Sequence, residues 1–148
     1  MSALGQLLAE ARSQEALTRY RSALLRRLRD DSSAAVRRAA VSALAGRLDV
    51  EGVPGFLAQA ATEDPDADTR EAALLALREI GTSAQLAELA DAQFDLGYSW
   101  DVRIAAARLY AAASPEAAWE WALARCEIPS PHGVLRAGLI DVLRSEEH

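Results

Sequence analysis

The sequence contains no lysine: all sixteen of its basic residues are arginine. That bias matches the codon habit of a GC-rich bacterial genome. It also leaves no Gly-x-x-x-x-Gly-Lys phosphate loop. Cysteine is nearly absent too. Cys126 stands alone, so no internal disulfide can form and nothing points to an oxidising compartment. There are two histidines, His132 and His148, and neither belongs to a His-Glu-x-x-His pair. No Gly-x-Ser-x-Gly elbow occurs. With no recognisable catalytic constellation, the expectation is a non-catalytic protein without cofactor or metal. No apolar run approaches the roughly 18 residues of a membrane span. The opening Met-Ser-Ala-Leu-Gly-Gln-Leu-Leu-Ala-Glu lacks a basic segment ahead of an apolar core, so it does not read as a signal peptide. A soluble cytoplasmic protein with no membrane partner is therefore expected.

What the chain does have is alanine and leucine. Hydrophobic residues make up 51% of it and aromatics only 5%. Alanine and leucine supply most of the apolar share, and both lose little on entering a helix. Five prolines and eight glycines fall mostly between apolar periodic segments. At 148 residues the chain suits one domain, able to bury most of its apolar surface.

The organising feature is internal repetition. Val36-Arg37, Thr69-Arg70, Val102-Arg103 and Leu135-Arg136 follow one another at 33 residues. The same step links Ala39, Ala72, Ala105 and Gly138, then Ala40, Ala73, Ala106 and Leu139. It also links Ala43, Ala76, Leu109 and Val142, and Leu44, Leu77, Tyr110 and Leu143. Within each unit these positions run i, i+3, i+4, i+7, i+8, the apolar stripe of a helix. A second helix keeps the period more loosely, through Tyr20, Val53, Leu86 and Trp119 and through Leu24, Leu57, Ala90 and Leu123. Each unit is thus an outer helix, a turn and an inner helix. Ser13, Ser33, Thr82 or Ser83, and Ser99 mark helix starts. Ser114-Pro115 and Ser130-Pro131 place proline at a first helical position.

The predicted fold is all-α: a right-handed α-solenoid of about four helical hairpins with an N-terminal capping helix. The leading helix is expected at about 3–12 and the repeats at about 14–46, 47–80, 81–113 and 114–146, making about nine helices in all. One hairpin cannot bury its own apolar faces, so stacked neighbours must do it.

Signature residues sort the repeat among the families with this period. Ankyrin's Thr-Pro-Leu-His is absent, as is the Trp/Leu-Gly/Tyr pattern of tetratricopeptide units. Instead Asp31-x5-Arg37 is followed by Ala-Ala-x-x-Ala-Leu, and Asp64-Pro65-Asp66-Ala67-Asp68-Thr69-Arg70-Glu71-Ala72-Ala73 repeats it. This resembles the HEAT-like repeat of the short bilin-lyase type, with its Asp-Pro-x-x-x-Val-Arg-x-x-Ala-Ala signature, over roughly residues 14–144. The resemblance implies that Arg37, Arg70, Arg103 and Arg136 pair with turn aspartates in a ladder between layers. The aspartate column, however, reads Asp31, Asp64, Gly97, Ser130. Arg103 and Arg136 lose their aspartates in that register, so Asp101 or helix carbonyls should serve them.

Binding candidates come from the columns left over on the inner helices. These are Arg38, Glu71, Ile104, Ala137; then Val41, Leu74, Ala107, Ile140; then Ser42, Leu75, Arg108, Asp141; and Ala45, Arg78, Ala111, Arg144. Leu74, Leu75, Ile104 and Ile140 would form an apolar patch rimmed by arginine, the usual make-up of a protein-binding centre. The expected partner-binding residues are Arg38, Leu74, Leu75, Arg78, Ile104, Arg108, Ile140 and Arg144. The competing reading is that a tightly curled stack buries part of this patch. The expected function is a protein–protein interaction scaffold binding another protein on its concave face, with self-association through an uncapped end as a further route.

Charge supplies the alternative. Residues 12–47 hold nine arginines against three acids, whereas residues 48–101 hold two against twelve. The arginine-rich N-terminal half could face nucleic acid, though the net charge is −6 and Tyr20 is the single aromatic within residues 12–47. Asp64-Pro65-Asp66-Ala67-Asp68 looks like the start of a calcium loop, but Thr69 and Leu75 occupy the places of its glycine and glutamate. Phe94 reads as a packing residue. Tyr98, Trp100 and Trp121 stand between packing and recognition.

Overall fold

The computed structural model describes residues 2–96 and 99–145. The described residues are 80% helical and include no strand. Eight α-helices follow in order: α1 (Ala3–Arg29), α2 (Ala34–Leu44), α3 (Val53–Glu63), α4 (Ala67–Leu77), α5 (Ala84–Leu96), α6 (Trp100–Ala113), α7 (Ala118–Arg125) and α8 (Val134–Ser145). Short 3-10 turns at Arg78–Ile80 and Pro131–Gly133 trim the joints. Pro54 sits in the first turn of α3, where no intrahelical partner is lost. Gly52 before it has φ 89°, and a Cβ there would come within 3.1 Å of Leu25 Cδ1. Ser33 and Asp66 cap α2 and α4 through their side chains.

Successive pairs form hairpins, and α2, α4, α6 and α8 stack on one another far more intimately than α1, α3 and α5 do. The alanine columns cause this asymmetry. Ala40, Ala73 and Ala106 are all buried, and their small size lets the inner helices approach closely. A stack tighter along one side curves toward that side, so α2, α4, α6 and α8 make the concave wall.

The start differs from expectation. The leading helix and the first outer helix are one continuous 27-residue α1, giving eight helices among the described residues rather than about nine. Residues 9–20 hold no glycine or proline to break it, and Ser13 lies in its interior. No residue of α1 is buried, and Leu4, Leu7 and Leu8 are exposed, so this segment does not cover the first hairpin.

The outward columns also need correction. Val41, Leu74 and Ala107 are buried while Ile140 is 48% exposed. The column therefore faces the following layer rather than solvent, and Ile140 is bare in the last described helix, where no described layer lies beyond it. Val36, Thr69, Val102 and Leu135 show the reverse: only the first is exposed, so this column faces the preceding layer. Leu74, fully buried, cannot be a docking residue. Ile104 and Leu75 are half-buried.

In the last hairpin the register slips by one residue. α7 buries Ala118, Trp121 and Ala122 and exposes Trp119 and Leu123. Trp121, expected on an outward column, stacks on Tyr110 at 4.3 Å and meets Phe94 edge-on at 5.1 Å. Its indole Nε1 donates to Asp91 Oδ1 at 2.8 Å. Phe94 is fully buried, as the sequence suggests, and Trp100 is half-buried against the core. Tyr98 lies outside the described residues.

Gly138 continues the small-residue column where α8 meets α6. A Cβ there would fall 2.5 Å from Ile104 Cδ1 and 2.7 Å from its Cγ1. Ile104 is β-branched and stiff, so the overlap outweighs the gain of roughly 1 kcal/mol from replacing a helical glycine. Gly138→Ala should lower the melting temperature, with overpacking on the order of 1–3 kcal/mol. Shortening the neighbour in Gly138→Ala/Ile104→Val should recover part of the loss.

Candidate functional site

Two surfaces carry the polar chemistry: the turn edge, where the arginine column meets the aspartate column, and the concave wall.

At the turn edge the arginine reaches forward by one layer. Arg37 donates from Nε to Asp64 Oδ2 at 2.9 Å and from Nη2 to Asp64 Oδ1 at 3.3 Å. Its Nη1 donates back to the Asp31 carbonyl at 2.7 Å. The Asp64 side chain is nearly buried, so this bidentate pair is largely shielded from water. The hydrogen bond to Asp64, opposed in part by burial, raises the Arg37 pKa further above its ordinary range. Asp64 also accepts from the Asp66 amide at 2.9 Å, as Asp31 accepts from the Ser33 amide at 2.8 Å. Asp66 in turn accepts from the Thr69 hydroxyl at 2.7 Å and amide at 3.0 Å. Those bonds, with Arg38 at 3.6 Å, hold its carboxyl below the ordinary aspartate range. The acidic run at 64–68 thus works as a turn and helix cap.

The forward reach changes which rung is broken. Arg70 repeats the backward bond, Nη1 to the Asp64 carbonyl at 2.6 Å, but the residue one layer ahead is Gly97. Loss of the third aspartate therefore deprives Arg70, not Arg103. Arg103 and Arg136 use helix carbonyls, Nε to Phe94 O at 3.0 Å and Nε to Cys126 O at 3.2 Å. The Arg103 guanidinium also lies 4.5 Å from the Phe94 ring and 5.3 Å from Trp100. Reading the aspartate column within each layer hides Arg70; reading it one layer ahead finds it.

The concave wall is more polar than the sequence patch suggests. Arg38, Arg78 and Arg144 are exposed, and Arg108 is half-buried. Arg108 Nη2 donates to Asp141 Oδ2 at 2.8 Å, and that bond lowers the Asp141 pKa. Leu75 and Ile104 are the apolar residues left from the expected patch. Leu74 faces the next layer and Ile140 lies at the last one. Beside Ile104 in the same column, Glu71 is half-buried with no ion-pair partner among the described residues. Burial, then the charges of Asp101 and Asp68, raises its pKa.

On the far side, Arg12, Arg19 and Arg26 are exposed on α1 at seven-residue spacing, one face of a helix. No group of histidines, cysteines and carboxylates suited to a metal ion occurs among the described residues. No helix there is long and apolar enough to cross a membrane.

A family model described as HEAT repeats matches residues 21–111. No curated protein and no solved structure matches the chain.

Asp64→Ala removes both the Arg37 partner and the acceptor for the Asp66 amide. Denaturant unfolding should report a loss of about 1–3 kcal/mol. Glu71 makes the opposite prediction. Its raised pKa means the folded state holds the proton more tightly than the unfolded one, so the charged form costs stability at pH 7. Glu71→Gln should raise the melting temperature at pH 7. The difference should shrink as pH falls through the folded-state pKa and wild-type Glu71 takes up its proton.

Proposed function

The chain belongs to the HEAT-repeat family, whose repeats commonly serve as protein-interaction scaffolds and are generally non-catalytic, and from that premise we propose that it binds a protein partner along its concave wall. The observation that carries this reading is the row of side chains from four successive inner helices that no described element of the chain covers. Arg38, Arg78 and Arg144 project there around half-buried Leu75, Ile104 and Arg108. Arginine beside partly exposed aliphatic surface supplies both desolvation and charge-assisted hydrogen bonds, the usual composition of an interface centre. Glu71 and Asp141 on the same wall make it mixed in sign. A partner with alternating charge fits it better than a uniformly acidic one. The apolar ends, with Tyr20 and Leu24 at one and Trp119, Leu123 and Ile140 at the other, offer a second, self-associating contact.

A second reading rests on the Arg12, Arg19 and Arg26 stripe. None of the three forms an ion pair among the described residues, and together they span about 21 Å of helix. Such a stripe suits a phosphate backbone, which binds by counterion release.

One pair of variants separates the readings. Leu75→Glu/Arg78→Glu alters the concave wall without touching the core residue Leu74. Arg12→Glu/Arg19→Glu reverses the α1 stripe. In a pull-down from the native host, with folding checked by circular dichroism, the wall variant should lose the partner and the stripe variant should keep it. Duplex DNA binding with a log–log salt slope near −3, abolished by the stripe variant, would instead favour nucleic acid.

A further inference from the structure

The described stack presents two end faces, and each carries what the other lacks. Between inner helices, a forward-facing column of one layer meets a backward-facing column of the next, which buries Leu74 and Val102 alike. The same two columns are exposed at Ile140 in the last described layer and at Val36 in the first. The outer helices follow suit. Tyr20 and Leu24 are exposed where their counterparts one layer on, Val53 and Leu57, are fully buried. At the opposite end Trp119 and Leu123 are exposed on α7. In the slipped register of that helix, Leu123 takes the place of Asp91, which reaches forward to Trp121 Nε1 at 2.8 Å and Arg125 Nη2 at 2.7 Å. Leu123 therefore points toward the position of a following layer.

The turn edge repeats this asymmetry in charge. Its complete rung runs from Arg37 forward to the Asp64 carboxylate. Asp31 holds the aspartate's place in the first layer, behind which no described layer supplies an arginine. It accepts from the Ser33 amide at 2.8 Å, and no cation among the described residues pairs with it. Arg136 holds the arginine's place in the last described layer. It is exposed, and no described carboxylate pairs with it. Its Nε donates to the Cys126 carbonyl at 3.2 Å, which leaves both terminal nitrogens to reach forward. The outer helices are opposed in sign as well. Exposed Arg27 lies one turn from Leu24, and exposed Glu120 lies one turn from Leu123.

We propose that the two end faces dock on one another, so that a second copy of this chain adds head to tail and continues the stack. Ile140 then meets the second copy's Val36, and Trp119 and Leu123 meet its Tyr20 and Leu24. Arg136 reaches forward to its Asp31, remaking between copies the rung that joins Arg37 to Asp64 within one. Glu120 and Arg27 oppose each other at the rim of the contact. The two joined surfaces differ, so each added copy presents a free end and growth passes beyond a dimer unless the rotation closes a ring. The inference rests on the self-associating contact proposed for the ends. It is independent of partner binding at the concave wall.

Sedimentation velocity of the full chain from about 1 μM to about 1 mM, the range of weak protein contacts, tests the proposal. The weight-average mass should climb with concentration. Val36→Glu blocks one end and Ile140→Glu the other, both at exposed positions, with folding checked by circular dichroism. Each variant alone should stay monomeric. An equimolar mixture should form a dimer and go no further, since each variant supplies the end that the other lacks. Arg136→Glu should weaken association by about tenfold, the effect of losing a charge-assisted pair. Leu75→Glu/Arg78→Glu should leave it unchanged. A wild type that is monomeric throughout overturns both the self-associating contact and its geometry. Self-association that a mixture of the two blocked variants fails to restore overturns the head-to-tail docking and leaves a like-to-like contact of the ends. Association unchanged in Arg136→Glu also overturns the docking, whether or not the other two variants fold.

Discussion

The fold depends on how closely the inner helices approach. Ala40, Ala73 and Ala106 at the layer interfaces, with Gly138 under Ile104, bring the axes near enough for the larger side chains between them to be fully enclosed. Leu74, Leu77, Leu109 and Leu139 are buried as a consequence of that approach, not of any one hairpin's own shape. Because the outer helices carry bulkier contacts and meet less intimately, the stack bends toward the inner side. The concave wall, with its arginines, is a product of alanine placement elsewhere. The same constraint explains the bare ends: columns designed to meet a neighbour remain exposed wherever there is none, as at Val36 and Ile140.

Apolar contacts of this kind set distance but allow sliding, and the turn-edge rungs resist it. Arg37 grips the Asp64 side chain ahead and the Asp31 carbonyl behind, so one guanidinium ties two layers in register. Asp64 couples that tie to the start of α4 through the Asp66 amide. Where the register carboxylate is missing, the bond that Arg70 makes among the described residues is the backward one. Further along, Arg103 abandons the pattern for the Phe94 carbonyl and the faces of Phe94 and Trp100. The layers are therefore joined by different chemistry at each step: an ion pair first, then a partial rung, then carbonyl and aromatic contacts.

The last hairpin shows what a one-residue slip does to a repeat. Turning α7 to bury Trp121 places the indole against Tyr110 and Phe94, and Asp91 then receives both Trp121 Nε1 and Arg125 Nη2, the latter at 2.7 Å. Arg125 lies over the Trp121 ring at 4.1 Å, with its Nε buried and unbonded. Trp119 and Leu123 pay for that arrangement by exposure. Six of the protein's eight aromatics fall between Phe94 and Trp121.

Sequence alone determined the all-α class, the 33-residue period, the HEAT-like signature and the capping roles of Ser33 and the 64–68 turn. All of these arise from residues within one or two helical turns of each other, or from a period that repeats the same local choice. It also indicated helix carbonyls among the groups that could serve Arg103 and Arg136. Tertiary structure decided the rest. Whether α1 is one helix or two turned on the absence of any contact that would fold its first half back. Whether Leu74 met solvent or the next layer depended on the direction of stacking, which a period cannot reveal: a column facing forward and a column facing outward look alike in one dimension. For the same reason the sequence placed the broken rungs at Arg103 and Arg136. Only the three-dimensional reach of each arginine, one layer ahead of its own turn, moves the first of them to Arg70.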